Sequence, residues 1–149
     1  MTNKRRALLD VSVLIALFHP DHVHHEVAHD WFDDQHPVGF ATCPLTENGF
    51  VRIVTNPRGP VREDRATALA SLSRMCASPQ HDFWPDAVSL RDETLFDPQV
   101  HVSYLQLTDV YLLGLATRMG GTLATFDASI PWRAVRGATR ESLTVIAPA

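Results

Sequence analysis

Four acidic side chains lie where the chain could gather them for chemistry. Asp10 follows an apolar run at 7–9, and Asp127 closely follows another such run, while Glu47 and Asp109 lie early in segments with helical spacing. Carboxylates brought together repel one another unless a cation lies among them. Oxygen ligands of this kind suit Mg²⁺ or Mn²⁺. A cation held by them supports phosphodiester hydrolysis, because it makes hydroxide available and stabilises charge on the phosphate.

Each acid also has a structural interpretation. Asp109 suits the positive end of a helix dipole, Asp127 suits a turn, and Glu47 suits a solvated or capping position in a helix. Asp10 is harder to explain in this way, because apolar residues surround it and an open surface position is unexpected. The hypothesis of a metal site therefore depends on the four acids together.

The elements that must position these acids alternate between strands and helices. We predict strands at 7–9, 38–41, 83–84, 122–125 and 143–146. We predict helices at 11–18, 25–32, 44–55, 63–76 and 108–119. Ser12 and Thr108 are suited to cap the first and last helices, and Gly120-Gly121 ends the last one. Residues 86–101 follow no clear pattern. The alternation predicts an α/β fold with a mostly parallel sheet covered on both faces.

This fold would bring the acids together at one edge. Parallel sheets place functional groups beyond the carboxyl ends of their strands. Asp10 and Asp127 follow strands directly, and the helices carrying Glu47 and Asp109 would begin at the same edge. We therefore expect four carboxylates in one cleft.

Composition limits the class of protein. The chain has 149 residues, 45% of them hydrophobic and 20% charged, which is consistent with a single domain spanning residues 1–149. The net charge of −4 counts mildly against nucleic-acid binding. No apolar run spans a bilayer, and Asp10 interrupts the first one, so we expect a cytoplasmic protein without a membrane partner. Cys43 and Cys76 are expected to be buried thiols.

Four segments in order resemble the PIN domain, in particular the VapC-type toxins of VapBC toxin–antitoxin systems. They are LLDVSVLI at 8–15, TENGFVR at 46–52 followed by TNP at 55–57, QLTDVYLL at 106–113, and GTLATFD at 121–127. The resemblance extends from about residue 7 to residue 130, and residues 77–105 depart most from it.

The resemblance implies a three-layer α/β/α PIN-like domain and an endoribonuclease that depends on Mg²⁺ or Mn²⁺. It implies RNA as the substrate, a cognate VapB-type antitoxin as the inhibitor, and a homodimer. The catalytic and metal-binding positions of the family fall on Asp10, Glu47, Asp109 and Asp127. Ser12 matches a polar position that supports the metal site, and Thr108 and Thr125 flank the acids and are expected to orient them.

Two other enzyme classes share single features with this sequence. The letters HEVAH at 25–29 fit the zinc-protease pattern, but one short segment is weaker than four, and a solvated helix is the simpler interpretation. Haloacid dehalogenase-type phosphatases need a second Asp where this chain has Ser12, and a lysine that is missing after Lys4. The main alternative is a non-catalytic interaction module on the same fold, which predicts no metal binding in the cleft.

Overall fold

Five short strands form one parallel sheet in the part of the chain that the computed structural model describes, residues 4–147. The strands are β1 (Ala7–Leu9), β2 (Phe40–Thr42), β3 (His81–Phe83), β4 (Thr122–Thr125) and β5 (Leu143–Val145), in the spatial order β3-β2-β1-β4-β5. The helices are α1 (Val11–Phe18), α2 (His25–Gln35), α3 (Pro44–Val54), α4 (Arg65–Cys76) and α5 (Leu107–Arg118). The α/β prediction is confirmed, and all described pairs of strands are parallel.

Helices cover both faces of the sheet because side chains alternate along each strand. In β1, Ala7 and Leu9 belong to a core shared with α1, α3 and α4, whereas Leu8 belongs to a second core on the opposite face. That second core is built around Leu112, Leu113 and Leu115 of α5, and each of these leucines is fully buried. The result is a three-layer arrangement whose central strand is buried on both sides.

The centre of the sheet aligns the ends of β1 and β4. Leu9 pairs with Ala124, and the N–H of Asp10 donates a hydrogen bond to the Ala124 carbonyl at 3.0 Å. The two strands therefore end side by side at their carboxyl edge. This register brings Asp10 next to Thr125 and close to the turn that carries Asp127.

The first residues of two helices differ from the sequence prediction. Asp10, not Ser12, caps α1, because its Oδ1 accepts the Val11 N–H at 2.7 Å and the backbone is already helical at Ser12. Thr108 does not cap α5, which begins at Leu107 after a 3₁₀ turn, Tyr104–Gln106. Ser103 begins that turn by accepting the Leu105 N–H at 3.2 Å. Both capping predictions were wrong by a few residues.

The end of α5 agrees with the sequence. The N–H of Gly121 donates to the Ala116 carbonyl at 2.8 Å and that of Gly120 to the Thr117 carbonyl at 3.1 Å. Gly120 has φ +74°, a conformation that glycine adopts without strain. This paired arrangement ends the helix and leads directly into β4.

Residues 86–101, which follow no clear pattern in the sequence, form no helix or named strand. This segment is held instead by tertiary packing: Leu95 and Phe96 are buried against α5, and Phe96 forms an isolated antiparallel bridge with Val135. Its conformation depends on distant residues, so local periodicity carries little information about it. Within residues 4–147, no helix is both long and apolar enough to cross a membrane.

Candidate active site

Three aspartates line one open cleft at the carboxyl edge of the sheet. Asp10, Asp109 and Asp127 come from the end of β1, the first turn of α5 and the turn after β4. The cleft has a volume of about 590 Å³. Its remaining lining residues are Val11, Ser12, Ile15, Ile53, Thr125 and Phe126.

Asp10 is the most buried of the three, with only 8% of its surface exposed. Its Oδ1 accepts the Val11 N–H at 2.7 Å, and its Oδ2 accepts the Thr125 hydroxyl at 3.0 Å. Burial raises the pKa of Asp10, and these two hydrogen bonds offset part of that effect. The carboxyl group is thus held in a fixed orientation in surroundings poor in water.

Asp109 is the group whose protonation changes near neutral pH. Burial raises its pKa to about 7, and the negative charges of Asp10 and Asp127 add to the shift. The interaction between the two carboxyl groups acts to lower the pKa of Asp10 and to raise that of Asp109. Burial and like charge thus both favour the protonated form of Asp109.

Asp127 has the opposite shift. Its Oδ1 accepts the Ser129 hydroxyl at 2.6 Å and the Ser129 N–H at 2.8 Å. The hydroxyl bond is the main reason that the pKa of Asp127 lies below its usual value, and a bond from Gln106 acts in the same direction. Gln106 also donates to the carbonyl of Ser129 at 3.2 Å. The turn suggested by the sequence is present, and it keeps this carboxylate ionised in the cleft.

No basic side chain compensates the three aspartates by an ion pair in the described part of the chain. The ion pairs within residues 4–147 join Arg118 to Asp92 and Arg136 to Asp97, away from the cleft. Converging, partly buried carboxylates without a positive partner are the donor set that a hard divalent cation takes. The residues present therefore fit Mg²⁺ or Mn²⁺.

Glu47 is not among the residues that line the cleft with the three aspartates. Glu47 lies in the first turn of α3, where its Oε2 accepts the Thr42 hydroxyl at 2.6 Å. It forms a separate cluster with Cys76 and His81. The helix does begin at the expected edge of the sheet, but the first turn directs this side chain towards β2 and β3.

The polar residues expected to support the acids are divided between different places. Thr125 bonds Asp10, and Ser12 lines the cleft. Thr108 is exposed and lines a different depression, with Asp86 and Tyr111. Adjacent helical residues point about 100° apart, so a neighbour of Asp109 in sequence does not share its direction.

The sequence did not single out the aromatic rim of the cleft. Phe126 stacks against His24, with ring centroids 4.6 Å apart, and His22 stacks at 6.3 Å. The backbone N–H of His24 donates to His22 Nδ1 at 3.0 Å, which holds the His22 ring in place. Phe126 directly precedes Asp127, and this adjacency in the sequence could have indicated that its ring lies at the cleft.

His25 and His29 bond the end of α1, which is a structural role and not the metal-binding role of the zinc-protease pattern. His25 Nδ1 donates to the Ala16 carbonyl at 2.6 Å, and His29 Nε2 donates to the Leu17 carbonyl at 2.9 Å. The last carbonyls of a helix have no hydrogen-bond donor within the helix, and these two rings supply donors to the end of α1. Their four-residue spacing does place both rings on one face of α2, as the pattern predicted.

The comparisons with known proteins agree with this architecture. The PIN domain family model matches residues 7–136, and the chain therefore belongs to the PIN domain family. Within that family it is a VapC-type member. It is 44% identical over 141 residues to Ribonuclease VapC44 of Mycobacterium tuberculosis, an alignment that covers 95% of this chain and 99% of the relative. Ribonuclease VapC39 of the same organism is 45% identical over 125 residues, or 83% of this chain and 90% of the relative.

A solved structure supports the fold. The crystal structure of Mycobacterium tuberculosis VapC20, described as a sarcin-ricin loop cleaving toxin, superposes with a TM-score of 0.59. The match covers 89% of this chain and 98% of that protein at 12% sequence identity. At this identity the likeness concerns the fold alone.

Proposed function

We propose that this protein is the ribonuclease toxin of a VapBC-type toxin–antitoxin system and cleaves RNA with a divalent cation. One observation carries the proposal: Asp10, Asp109 and Asp127 converge in an open cleft without a basic partner in residues 4–147. Membership of the PIN domain family and relatives named as ribonucleases support it. We further propose that cleavage is endonucleolytic.

In this proposal the three aspartates hold Mg²⁺ or Mn²⁺. When bound, the cation supplies Lewis-acid chemistry, activating water and stabilising charge on the phosphate. Thr125 fixes Asp10, and Ser129 fixes Asp127, so two carboxylates are oriented before the cation arrives. Asp109 must release its proton to become a full anionic ligand, which its pKa of about 7 allows under neutral conditions.

The open cleft suits a polymer substrate. Its side walls leave the aspartates reachable from solvent, so an RNA chain can cross them without being threaded through a tunnel. Phe126, backed by His24, stands beside Asp127 at the rim. We propose that this rim contacts the RNA next to the scissile phosphate, where a planar ring can stack on a base.

We also propose Glu47 as a fourth acid of the metal site, and its role has a separate test. The resemblance assigns it to the metal site, whereas its side chain bonds Thr42 outside the cleft. The Glu47→Gln variant separates these possibilities. A loss of cleavage as large as that of Asp10→Asn would mean that Glu47 acts on the loaded site, and unchanged cleavage would remove it from the machinery.

We propose that a VapB-type antitoxin binds the apolar groove between α1, α2 and α4. The groove has a volume of about 250 Å³, and its lining includes Leu17, Phe32 and Met75. Helix α1 forms its wall and also borders the cleft through Ser12 and Ile15. An antitoxin segment seated there can reach the aspartates with an arginine and displace the cation.

A matched pair of substitutions tests the groove. Met75→Glu should weaken binding of the antitoxin, because a charge would enter the apolar lining. Met119→Glu, at an exposed position after α5, should not. Equal affinity of both variants in calorimetry would contradict this location. We also expect a homodimer, measurable by light scattering, and action in the cytoplasm, where the RNA substrate is found.

The decisive experiment is cleavage of labelled, structured RNA by the purified protein with Mg²⁺, Mn²⁺ or EDTA. We expect cutting with the metals, none with EDTA, and none by Asp10→Asn or Asp109→Asn although both remain folded by circular dichroism. Full activity in both variants would overturn the site assignment. The non-catalytic alternative predicts no metal binding in the cleft, so calorimetry with Mn²⁺ tests it independently of the choice of RNA.

A further inference from the structure

A second group of metal-ligating side chains lies outside the aspartate cleft. Glu47, Cys76 and His81 each place one ligand atom within 4.8 Å of the other two. They come from the first turn of α3, the last residue of α4 and the first residue of β3. Three elements that are distant in sequence thus deliver a carboxylate, a thiol and an imidazole to one point.

The three groups already share a common centre. The Thr42 hydroxyl donates to Glu47 Oε2 at 2.6 Å, and it lies 2.7 Å from His81 Nε2 and 3.9 Å from Cys76 Sγ. Thr42 is fully buried, so its position is fixed by the sheet. The three side chains therefore converge on one small region beside the Thr42 hydroxyl. Neighbouring ligand atoms of a tetrahedral zinc site lie about 3.5 Å apart, so these atoms, now within 4.8 Å of one another, would have to draw together around the ion.

The kind of donor decides the kind of cation. Thiolate and imidazole are soft or borderline ligands that favour Zn²⁺ over Mg²⁺, and one carboxylate completes a donor set known from zinc sites. His81 contributes a ring nitrogen, Nε2, which lies 2.7 Å from the Thr42 hydroxyl.

The site is reachable, because all three residues are only partly buried. Glu47 also lines an open depression between α3 and α4, together with Leu69 and Phe83. A cation can therefore enter without unfolding the domain.

We propose that Glu47, Cys76 and His81 bind a thiophilic divalent cation of the Zn²⁺ class. Three protein ligands leave one position for water, as in open zinc sites. The bound ion would tie α3, α4 and β3 together on the side of the sheet away from α5. The thiol and the imidazole distinguish this site from the aspartate cleft, whereas Glu47 is also the fourth acid of the ribonuclease proposal.

Cobalt substitution tests the proposal, because a Co²⁺–thiolate bond gives a charge-transfer band in the near ultraviolet. The full-length protein, stripped with EDTA and kept reduced, is titrated with Co²⁺ in excess Mg²⁺, which occupies the aspartate cleft. We expect the band to saturate at one equivalent and to vanish when Zn²⁺ is added. Cys76→Ser should abolish it, and His81→Gln should weaken Co²⁺ binding about tenfold or more.

The chain offers matched controls. Cys43 is the other cysteine, and its thiol accepts a hydrogen bond from Thr46 at 3.6 Å in a buried position. Cys43→Ser should keep the band, and so should Asp10→Asn, whose change lies in the cleft. A failure of the ribonuclease proposal therefore leaves this readout unaffected.

Thermal denaturation gives a second readout. Zn²⁺ should raise the Tm of the wild type and not that of Cys76→Ser, because only a folded site binds the ion. A reduced, folded wild type without the band would overturn the proposal. It would also be overturned if the band persisted in Cys76→Ser, or if that variant showed the same rise in Tm, since the ion would then bind elsewhere.

Discussion

The Thr125 hydroxyl connects the two aspartates that end the central strands. It donates to Asp10 Oδ2 at 3.0 Å and accepts the Asp127 N–H at 3.1 Å. Thr125 is only 1% exposed, so water cannot easily replace either bond. One side chain therefore sets both the direction of the Asp10 carboxylate and the start of the turn that carries Asp127.

Replacing this hydroxyl should reduce catalysis more than it disturbs the fold. Thr125→Val keeps the shape of the side chain and removes both bonds, so Asp10 loses its orientation and its pKa rises further. We expect single-turnover RNA cleavage to fall about 10–100-fold. The free energy of unfolding should fall by about 1–3 kcal/mol, because the partly buried N–H of Asp127 loses its partner. Both quantities are measurable on the same preparation.

Thr125→Ser provides the control, because it restores the hydroxyl on a smaller side chain. Its cleavage rate should be much closer to that of the wild type. Equal rates for the valine and serine variants would mean that the hydrogen bonds of Thr125 do not orient the site.

Cation binding should depend on pH through Asp109. Its pKa of about 7 means that a proton competes with the cation below neutrality. The affinity for Mn²⁺ should fall by about tenfold per pH unit below pH 7 and level off above it, as expected for release of one proton. Calorimetry at several pH values measures this slope. In Asp109→Asn the slope should flatten, and an unchanged slope would assign the proton to another group.

The raised pKa of Asp109 also determines how the stability of the metal-free protein changes with pH. The folded pKa of Asp109 lies above its unfolded value of 3.8, so the folded state binds the proton more tightly. The proton on Asp109 stabilises the folded state fully below pH 3.8. This stabilisation declines as the pH rises and is lost above about pH 7. In EDTA, urea unfolding should show the wild type losing stability over this window relative to Asp109→Asn. Parallel curves would contradict the assignment.

The sequence predicted the two central strands well because their signals are local, whereas β2 and β3 lie about two residues from the predicted 38–41 and 83–84. Runs of buried residues at 7–9 and 122–125 ended at the expected residues, and Gly120 ended α5 as glycine does after a helix. The convergence of Asp10 and Asp127 followed from one general property of parallel sheets, that their strands end at a common edge.

The direction of side chains was harder to predict. Glu47 and Asp109 both lie in first turns of helices, but only Asp109 reaches the cleft, because the rotation of each helix is set by packing against the sheet. Asp10 took the capping position that Ser12 was expected to fill, and α5 is preceded by Gln106, which makes no side-chain capping bond. Several polar residues near a helix end can cap it, and tertiary contacts decide among them.

The helix that carries Asp109 depends on a close contact at Gly114. A Cβ at this position would overlap the Phe96 ring, which is packed directly on the backbone of α5. Gly114→Ala should destabilise the protein by about 1–3 kcal/mol, despite alanine's better helix propensity, because the core would be overpacked. Chemical denaturation measures the loss. The double variant with Phe96→Leu should recover part of it, and strict additivity would exclude the contact as the cause.

Removal of the imidazoles that close α1 should cost stability. His25 and His29 donate to the Ala16 and Leu17 carbonyls, so His25→Ala or His29→Ala leaves a helix-end carbonyl without its protein partner. We expect each to lower the free energy of unfolding by about 1 kcal/mol, the usual net value of one hydrogen bond. His101→Ala, at an exposed position, should change it by less than about 0.5 kcal/mol.

The zinc-protease interpretation predicts instead that Zn²⁺ stabilises the wild type through the rings of His25 and His29. If Zn²⁺ raised the Tm of the wild type and not that of His29→Ala, the capping role would be contradicted. A Zn²⁺ effect that survives in His29→Ala and disappears in Cys76→Ser would instead place the ion at the thiol.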